Sequence, residues 1–272
     1  MKILVTGCCG FIGYHLCQRL IQLNHEVIGI DNFNSYYDVQ IKYDRYEKLK
    51  NKIDVINANI QDLKLYTIVP KVDIVVHLAA QAGVRYSLID PESYINTNVV
   101  GTFRLLEFAR QCNCDRFIYA SSASVYGRNQ IPWIEDMNLS SPMSLYGATK
   151  ISTEVISDSY YEMFKLKSTG LRFFSVYGPF GRPDLSLWKW TEGILKREPI
   201  KVFNYGNNKR SWTYIDDLID GFISAISTSG NTEKFNLGGE QLVSIDYSVD
   251  CIAKYVGVEP IKEYEPMQDG DI

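Results

Sequence analysis

Short apolar runs alternate with longer amphipathic stretches along the first two-thirds of the chain. Several runs are β-branched and apolar on both faces, which is typical of parallel strands covered by helices on each side. The predicted strands are Lys2–Thr6, Glu26–Ile30, Asp54–Asn57, Asp73–Leu78, Arg116–Ser121 and Ser168–Phe173. Helical spacing predicts the helices Phe11–Leu23, Pro91–Gln111 and Ser144–Phe164. This alternation predicts an α/β protein with a doubly wound parallel sheet.

The pattern changes after Phe174, where a turn-rich stretch at Gly178–Asp184 introduces shorter elements. The spacing there predicts a helix near Ser186–Arg197, a strand near Ile200–Phe203, a helix after Asp216 and a helix at about Asp246–Val256. We therefore expect a larger domain over 1–174, to which roughly 213–237 returns. A smaller, interleaved domain is expected mainly over 175–272.

Composition and charge narrow the classes of partner. Hydrophobic residues make up 46% and charged residues 22% of the 272 residues, as in an ordinary globular protein. A net charge of −4 without a long Lys/Arg block argues against binding to nucleic acid or to an anionic membrane. No apolar run approaches the ~20 residues that span a bilayer. The six cysteines lack CxxC spacing and only three histidines occur, so we expect no metal centre and interpret the cysteines as reduced thiols in a cytoplasmic protein.

A glycine-rich turn lies between the first strand and the first helix. Glycines let the chain turn tightly and let its backbone approach a pyrophosphate, while the helix N-terminus offers N–H groups and a positive dipole end. The order of strand, turn and helix predicts a dinucleotide site of the Rossmann type. Its candidate residues are Gly7, Gly10, Phe11, Ile12 and Gly13.

An acidic residue, Asp31, ends the second strand and is followed by Asn32. A carboxylate at this point accepts hydrogen bonds from the hydroxyls of an adenosine ribose and repels a 2′-phosphate. We therefore expect the cofactor NAD rather than NADP, with Asp31 and Asn32 beside it. The alternative is that Asp31 only caps the following turn.

The spacing Tyr-x-x-x-Lys, which places both side chains on one helix face, occurs four times. Only Tyr146 and Lys150 begin a long amphipathic helix, and they follow a serine at a strand end, Ser122. A phenol with a pKa of ~10 is a poor base at neutral pH, and lowering that pKa by ~3 units takes ~4 kcal/mol. A cation ~4 Å away at an effective dielectric of ~20 supplies about that much. We therefore predict that Tyr146 acts as a base, with Lys150 and an oxidised nicotinamide as its cations and Ser122 as the group that orients the substrate alcohol.

Several longer motifs follow one another in a fixed order. They are TGCCGFIG at 6–13, HLAA at 77–80, NTNVVGT at 96–102, SSASVYG at 121–127 and YGATK at 146–150. In this order the chain resembles the NAD-dependent epimerase/dehydratase family of the extended short-chain dehydrogenase/reductase superfamily. Four further segments are most similar to the UDP-glucuronate 4-epimerase branch: DNFNSYYD at 31–38, QAGVRYS at 81–87, FGRPD at 180–184 and NYGNNKRSWTYIDD at 204–217.

The resemblance implies a catalytic trio of Ser122, Tyr146 and Lys150. It also extends the NAD site beyond the glycine turn and Asp31, to Asn59, Ile60, Leu78, Ala79, Ala80, Asn98, Tyr146 and Lys150. Asn59 stands where many relatives have an aspartate against the adenine, and it keeps a carbonyl acceptor without the charge. For Asn98 the alternative is a polar residue that is satisfied inside a pair of helices.

The residues after the catalytic serine distinguish reactions within this family. Related 4,6-dehydratases carry Asp-Glu there and related UDP-glucuronate decarboxylases a glutamate, whereas this chain has Ala123 and Ser124. Elimination then lacks its base. The resemblance therefore implies an isomerase, a UDP-sugar 4-epimerase that interconverts UDP-glucuronate and UDP-galacturonate through a 4-keto intermediate with transient NADH. The alternatives are a UDP-glucose or UDP-N-acetylglucosamine 4-epimerase, a 4,6-dehydratase, and a non-catalytic NAD-binding sensor on the same fold.

The resemblance also assigns residues to the UDP-sugar. Arg182 is the expected partner of the sugar carboxylate, because a guanidinium fits a planar anion, and the alternative is a solvated loop arginine. Val202 and Phe203 are expected near the uridine, with strand core as the alternative. The implied substrate residues are Arg85, Ser87, Ser124, Ser175, Arg182, Val202, Phe203, Arg210 and Asp271.

Two expectations concern the whole molecule. Relatives form a four-helix dimer interface, so we expect a homodimer through the helices Pro91–Gln111 and Ser144–Phe164, although faces buried within one chain have the same spacing. Family members commonly run further at the C-terminus than this chain. We therefore expect the substrate domain to be naturally short or to lack a segment.

Overall fold

The structure is a computed structural model that describes residues 1–62, 65–228 and 230–268. The chain divides into two units. The larger unit consists of Met1–Phe173 and Asp216–Leu237. The smaller unit consists of Phe174–Ile215 and the described residues from Gly238 onward.

Strands and helices alternate through the larger unit and become shorter in the smaller one. The strands are β1 (Lys2–Thr6), β2 (Glu26–Asp31), β3 (Asp54–Asn57), β4 (Ile74–His77), β5 (Arg116–Ser122), β6 (Ser168–Phe173), β7 (Ser175–Tyr177), β8 (Ile200–Phe203), β9 (Lys209–Tyr214), β10 (Thr232–Leu237), β11 (Leu242–Ser244) and β12 (Lys262–Glu265). The α-helices are α1 (Phe11–Gln22), α2 (Gln40–Leu49), α3 (Leu65–Ile68), α4 (Pro91–Tyr94), α5 (Gly101–Cys112), α6 (Leu145–Phe164), α7 (Ser186–Lys196), α8 (Ile215–Ile226) and α9 (Ile245–Val256).

The larger unit is built on a seven-stranded parallel sheet in the order β10-β6-β5-β4-β1-β2-β3. Its central strands are buried on both faces, with Leu4, Val75 and Phe117 fully inaccessible. The strand order reverses beside β1, since β2 lies on one side of it and β4 on the other. The prediction of a doubly wound parallel sheet is confirmed, and ligands of such sheets bind where the order reverses, at the carboxyl ends of the strands.

The smaller unit contains a three-stranded sheet in the order β11-β9-β7 and a two-stranded sheet of β8 and β12. The helices α7 and α9 share its apolar core, which includes Trp190, Ile194, Ile200, Val202 and Val249. Trp190 donates its indole N–H to the carbonyl of Lys201 at 3.1 Å, so the large ring is buried with its polar atom satisfied.

One predicted helix is interrupted. Instead of a continuous helix over Pro91–Gln111, a π-helical turn at Ile95–Val100 joins α4 to α5. The hydroxyl of Thr102 donates to the carbonyl of Asn98 at 2.5 Å, and that of Thr153 donates to the same carbonyl at 3.4 Å. Hydroxyl donors at this carbonyl support the wider turn, and such turns are frequent at functional sites.

Among the described residues, every helix is too short or too polar to cross a membrane.

Candidate active site

The turn after β1 is shaped by glycines that admit no side chain. Gly7 has φ +72° and donates its N–H to the carbonyl of Ile30 at 2.7 Å. Gly10 donates its N–H to the carbonyl of Gly7 at 2.9 Å and is the N-cap of α1. A Cβ at Gly13 would lie 2.1 Å from the carbonyl oxygen of Gly7. The turn therefore brings bare backbone to the N-terminus of α1, where Phe11 is buried and Ile12 is half-buried.

Asp31 lies at the end of β2 and is only 6% exposed. Its carboxylate accepts the N–H of Cys9 at 3.0 Å and the N–H of Phe33 at 2.9 Å. The turn-capping role considered for Asp31 is therefore present. It is also compatible with ribose binding, because each carboxylate oxygen keeps acceptor capacity beyond one hydrogen bond.

Arg45 on α2 is a functional candidate that the sequence pattern does not single out. It is fully buried and donates from Nη1 to the carbonyl of Cys9 at 3.0 Å and to the Tyr37 hydroxyl at 2.9 Å. The residue Cys9 is thus held at its carbonyl by Arg45 and at its N–H by Asp31. The signal available in the sequence is weak, since α2 is a largely charged helix.

The thiols of Cys8 and Cys9 and the carboxylate of Asp31 lie within 4.8 Å of one another, a spacing that a metal ion can bridge. Two observations favour packing instead. The carboxylate already accepts backbone N–H groups, and a hydrogen bond with Cys9 together with burial raises the pKa of the Cys8 thiol, which keeps it protonated. We assign this cluster to the cofactor turn.

The residues after β4 lie beside the glycine turn, since a Cβ at Gly7 would lie 2.9 Å from the backbone N of Ala79. The hydroxyl of Thr6 accepts the N–H groups of Leu78 and Ala79 at 3.2 and 3.1 Å, and Ala80 follows half-buried. Burial, with the charge of Lys150 nearby, lowers the pKa of His77 to about 3. This histidine is therefore neutral at physiological pH.

The predicted adenine contacts lie at the ends of β2 and β3. Asn32 donates its side-chain amide to the side-chain carbonyl of Asn59 at 2.9 Å, and both residues are exposed. Ile60 is 4% exposed and belongs to the core cluster beside Leu105. Its side chain thus packs inside the protein, and its contact with the cofactor stays a prediction.

The predicted catalytic trio is assembled within the larger unit. Ser122 ends β5 and its Oγ accepts the N–H of Ser124 at 3.2 Å. Tyr146 lies in the first turn of α6, which begins where the Ser144 hydroxyl accepts the N–H of Gly147 at 3.0 Å. Lys150, one turn further along the same face, has its Nζ 5.9 Å from the centre of the Tyr146 ring.

The ammonium of Lys150 is buried and forms a hydrogen bond with the strand that ends in Ser122. It is 4% exposed and donates from Nζ to the carbonyl of Ala120 at 2.8 Å. Burial lowers its pKa to about 8, while the negative charge of Glu154 opposes that shift. Lys150 therefore remains mostly cationic at pH 7, beside the ring of Tyr146.

Asn98 is 1% exposed, and its side-chain amide is used within the fold. Its oxygen accepts the N–H of Gln81 at 2.8 Å, and its nitrogen donates to the carbonyl of Gln81 and to the Thr149 hydroxyl at 3.0 and 3.1 Å. These contacts support the alternative considered for this residue, a polar side chain satisfied between helices. A direct contact with the cofactor stays a prediction.

The segment after Gln81 is held rigidly beside Tyr146. The Tyr94 hydroxyl donates to the carbonyls of Ala82 and Gly83, and its ring packs edge-on against that of Tyr146 at 6.2 Å. Ser87 is 2% exposed and donates its hydroxyl to the carbonyl of Val84 at 2.6 Å, whereas Arg85 is exposed. The Ser87 hydroxyl is thus bonded within the segment, and the contacts of Arg85 and Ser87 with a sugar stay predictions.

In the smaller unit, Ser175 begins β7 and is half-buried. Arg182 lies in the turn-rich segment before α7, and its side chain is 23% exposed. It donates from Nε and Nη2 to the two carboxylate oxygens of Asp184 at 2.9 and 2.5 Å. The carboxylate of Asp184 therefore orients the guanidinium of Arg182.

The predicted nucleotide contacts differ in how they are placed. Val202 is fully buried in the core of the smaller unit, which supports the strand-core alternative, and its contact with the uridine stays a prediction. Phe203 and Arg210 are half-buried, and Arg210 lies on β9 opposite Val243. Asp271 lies outside the described residues.

Comparisons with known proteins agree with this architecture. The NAD dependent epimerase/dehydratase family model matches residues 3–238. An uncharacterized protein of Methanocaldococcus jannaschii is 45% identical over 100% of this chain and 86% of its own length. A probable UDP-glucuronate 4-epimerase of Rhizobium meliloti is 37% identical over 100% of this chain and 87% of its own. The crystal structure of a UDP-glucuronic acid 4-epimerase from Bacillus cereus, in complex with UDP-glucuronic acid and NAD, superposes with a TM-score of 0.95 at 35% identity, covering 100% of this chain and 88% of that one.

The family match spans most of the chain, and the strand order, glycine turn and Tyr-x-x-x-Lys helix are those expected from the motifs. The resemblance inferred from the sequence is confirmed: the chain belongs to the NAD-dependent epimerase/dehydratase family.

Proposed function

We propose that the protein is a NAD-dependent UDP-sugar 4-epimerase that interconverts UDP-glucuronate and UDP-galacturonate. The observation that carries the proposal is the buried Lys150 ammonium beside the ring of Tyr146, tied to the strand that ends in Ser122. A protein that only binds NAD does not need a buried cation beside a phenol. The similarity to UDP-glucuronate 4-epimerases supports the choice of substrate.

The residues at the carboxyl end of β1 fit NAD. The Cβ-free turn from Gly7 to Gly13 and the start of α1 suit a pyrophosphate, and the Asp31 carboxylate suits the adenosine ribose. Bound NAD would supply a hydride acceptor for C4 of the sugar and return the hydride to it. The chain would hold this cofactor through the turn, Asp31, the main chain near Ala79 and the catalytic helix.

The acid–base step belongs to Tyr146. In its phenolate form Tyr146 takes the proton of the C4 hydroxyl and later returns it, while the Lys150 ammonium stabilises the phenolate. Ser122 orients the same hydroxyl from the end of β5. Because its pKa is about 8, Lys150 keeps most of its charge at neutral pH.

The residues that follow Ser122 favour epimerisation over elimination. Ala123 and Ser124 begin a short 3-10 turn, so neither offers a carboxylate to remove a proton from C5 of the sugar. The 4-keto sugar is then reduced again on its opposite face. The hydroxyl of Ser124 is proposed to hold the uronate carboxylate away from the geometry that would release CO₂, and Ser175 stays a predicted substrate contact.

The smaller unit is proposed to hold most of the nucleotide sugar. Arg182, oriented by Asp184, is the proposed partner of the uronate carboxylate, with Arg85 as a second cation. Arg210 is proposed to contact the diphosphate and Phe203 the uridine.

Two further properties are part of the proposal. The outer surfaces of α5 and α6 expose Phe103, Val155, Met163 and Phe164 at 39%, 61%, 60% and 47%, which supports a homodimer through these helices. The six cysteines carry free thiols, which supports a cytoplasmic location.

Incubation of the NAD-loaded protein with UDP-glucuronate, followed by chromatographic separation of the UDP-uronates, tests the proposal. We expect UDP-galacturonate to accumulate to a constant ratio from either direction. If the protein converts UDP-glucose or UDP-N-acetylglucosamine but not UDP-glucuronate, UDP-glucuronate is rejected as its substrate. A 4-keto-6-deoxy product would identify a dehydratase, and no turnover with tight NAD binding would identify a sensor.

A further inference from the structure

A buried ion pair lies directly behind the catalytic residues. Arg172 on β6 donates from Nε and Nη2 to the two carboxylate oxygens of Glu154 on α6, at 2.9 and 2.8 Å. The side chains are 3% and 4% exposed. The Ser121 hydroxyl donates to the same carboxylate at 2.5 Å. Glu154 thus receives hydrogen bonds from two neighbouring strands.

The pair is part of a polar row that crosses three strands. Ser121 on β5 and Asn236 on β10 each stand opposite Arg172 in the strand register. Arg172 also donates from Nη1 to the Tyr126 hydroxyl at 2.9 Å, and Tyr126 donates to the side-chain carbonyl of Asn236 at 2.6 Å. Arg172 is therefore held by Tyr126 as well as by Glu154.

Two direct bonds join α6 to the end of β5. Lys150 donates to the carbonyl of Ala120, and Ser121 donates to Glu154, which lies one helical turn after Lys150. These bonds involve the two residues before Ser122. They therefore fix the distance from Ser122 to the helix that carries Tyr146 and Lys150.

Stability alone does not account for the pair. Removing two charges from water costs several kcal/mol per ion, and well-packed apolar residues often replace such a pair without loss of stability. The pair has a second effect, on Lys150: its carboxylate, Glu154, lies one helical turn after Lys150 on α6 and favours the ammonium form of the lysine. Apolar replacements of Glu154 and Arg172 would lose both the positioning of Lys150 and the negative charge near it.

We propose that Glu154 is a positioning residue for the catalytic pair: it clamps α6 to β5 through Ser121 and to β6 through Arg172, and it places a carboxylate one helical turn after Lys150. This inference rests on the proposed function for its consequence in catalysis. Its electrostatic part concerns Lys150 alone and is measurable without substrate.

The charged and titratable groups around Lys150 come from several elements. Glu154 favours its protonated form from α6, whereas His77 on β4 is neutral and Tyr146 lies on the lysine's own face. Around Glu154 stand Arg172 from β6 and Tyr119 from β5, whose buried phenol has a pKa raised by burial and by Glu154. If the carboxylate charge is removed, the burial of Lys150 and the unpaired positive charge of Arg172 remain. Both disfavour the ammonium form of Lys150 and therefore lower its pKa.

The test follows the Nζ signal of Lys150 by NMR in protein labelled with ¹⁵N-lysine, with the signal assigned by its loss in Lys150→Met. In Glu154→Gln we expect the titration midpoint of Lys150 to fall by about one pH unit. In Arg172→Met, which breaks the same ion pair but leaves the carboxylate, we expect the midpoint to rise. The control Glu162→Gln removes an exposed carboxylate from the same helix and should leave the midpoint unchanged.

A purely structural role predicts the same direction of change in both variants, because both break the same contact. Equal shifts, or no shift in Glu154→Gln, would overturn the inference. If Glu154→Gln does not fold, as judged by circular dichroism, Arg172→Met and Ser121→Ala decide: a midpoint that fails to rise in Arg172→Met overturns the electrostatic part.

Ser121→Ala tests the clamp separately, because it removes one hydrogen bond to Glu154 and no charge. We expect an unchanged Lys150 midpoint and a fall of about tenfold in kcat for UDP-glucuronate, with KM unchanged. Unchanged kcat would refute the clamp. If the wild-type protein does not epimerise UDP-glucuronate, the proposed function fails, whereas the Nζ titration still decides the electrostatic part.

Discussion

Replacement of Lys150 by methionine removes the cation beside the proposed base. The Nζ atom lies 5.9 Å from the centre of the Tyr146 ring. At an effective dielectric of about 20, a unit charge at that distance stabilises a phenolate by about 3 kcal/mol. Because 1.36 kcal/mol corresponds to a factor of ten, the fraction of phenolate at neutral pH falls by about 100-fold.

The assay is epimerisation of UDP-glucuronate by Lys150→Met between pH 6 and pH 10. We expect kcat/KM at pH 7 to fall by about 100-fold and to recover as the pH rises by about two units, because hydroxide then generates the phenolate that the ammonium no longer favours. Binding of NAD, measured separately, should persist.

The chain provides a matched control at the same spacing. Tyr161 in the last turn of α6 and Lys165, the C-cap of that helix, also stand four residues apart, with Nζ 5.0 Å from the ring centre, but Lys165 is exposed. Lys165→Met should leave the rate and its pH dependence unchanged. A loss in Lys150→Met that is equal at every pH would refute the reasoning, since it would mean that the lysine does not act through ionisation of the phenol.

Three further predictions concern the cofactor, the substrate and stability. Asp31→Asn should weaken NAD binding about tenfold and reduce the preference for NAD over NADP, as measured by calorimetry, because it removes the charge that repels a 2′-phosphate; an unchanged preference would contradict the role of Asp31. Arg182→Leu should raise KM for UDP-glucuronate about tenfold, with kcat changed less, because a charge-assisted bond to the sugar carboxylate is lost; an unchanged KM would remove Arg182 from the carboxylate site. Lys150→Met should be more stable than the wild type by about 2 kcal/mol at pH 7. The gain arises because the folded-state pKa of Lys150, about 8, lies below the unfolded value of about 10.4, and the loss of one hydrogen bond to Ala120 makes the gain smaller. The wild type alone should gain stability from pH 8 to about pH 10, where the unfolded chain retains the proton that the buried amine has lost, and urea titrations at pH 7 and pH 10 measure the difference.

The sequence was most informative where structure is set locally. Six strands of the central sheet, β1 to β6, were predicted from short, mainly apolar runs, and the glycine turn directly follows β1. The seventh strand, β10, was not predicted, because its sequence TEKFNL is largely polar. Tyr146 could be separated from the other tyrosines at the same spacing because its helix follows a strand that ends in serine. By contrast α2 was not predicted, since its buried face consists of Lys42, Arg45 and Leu49 and reads as polar.

Residues that act through distant partners could not be predicted. Arg45 contacts the carbonyl of Cys9 from 36 residues away, and Glu154 meets Arg172 from 18 residues away. Neither contact leaves a local pattern. Proximity to a motif also does not show how a side chain packs: the side chains of Ile60 and Val202 lie in apolar cores, and their contacts with ligands stay predictions.

The central claim is that Tyr146 removes a proton from the C4 hydroxyl while C4 itself is oxidised and reduced again. UDP-glucuronate carrying deuterium at both C4 and C5, incubated with the NAD-loaded protein in ordinary water, tests it by mass spectrometry and NMR of the product. We expect UDP-galacturonate that retains the deuterium at C4 and at C5. Loss of the C4 deuterium to solvent, or inversion accompanied by exchange at C5, would contradict it.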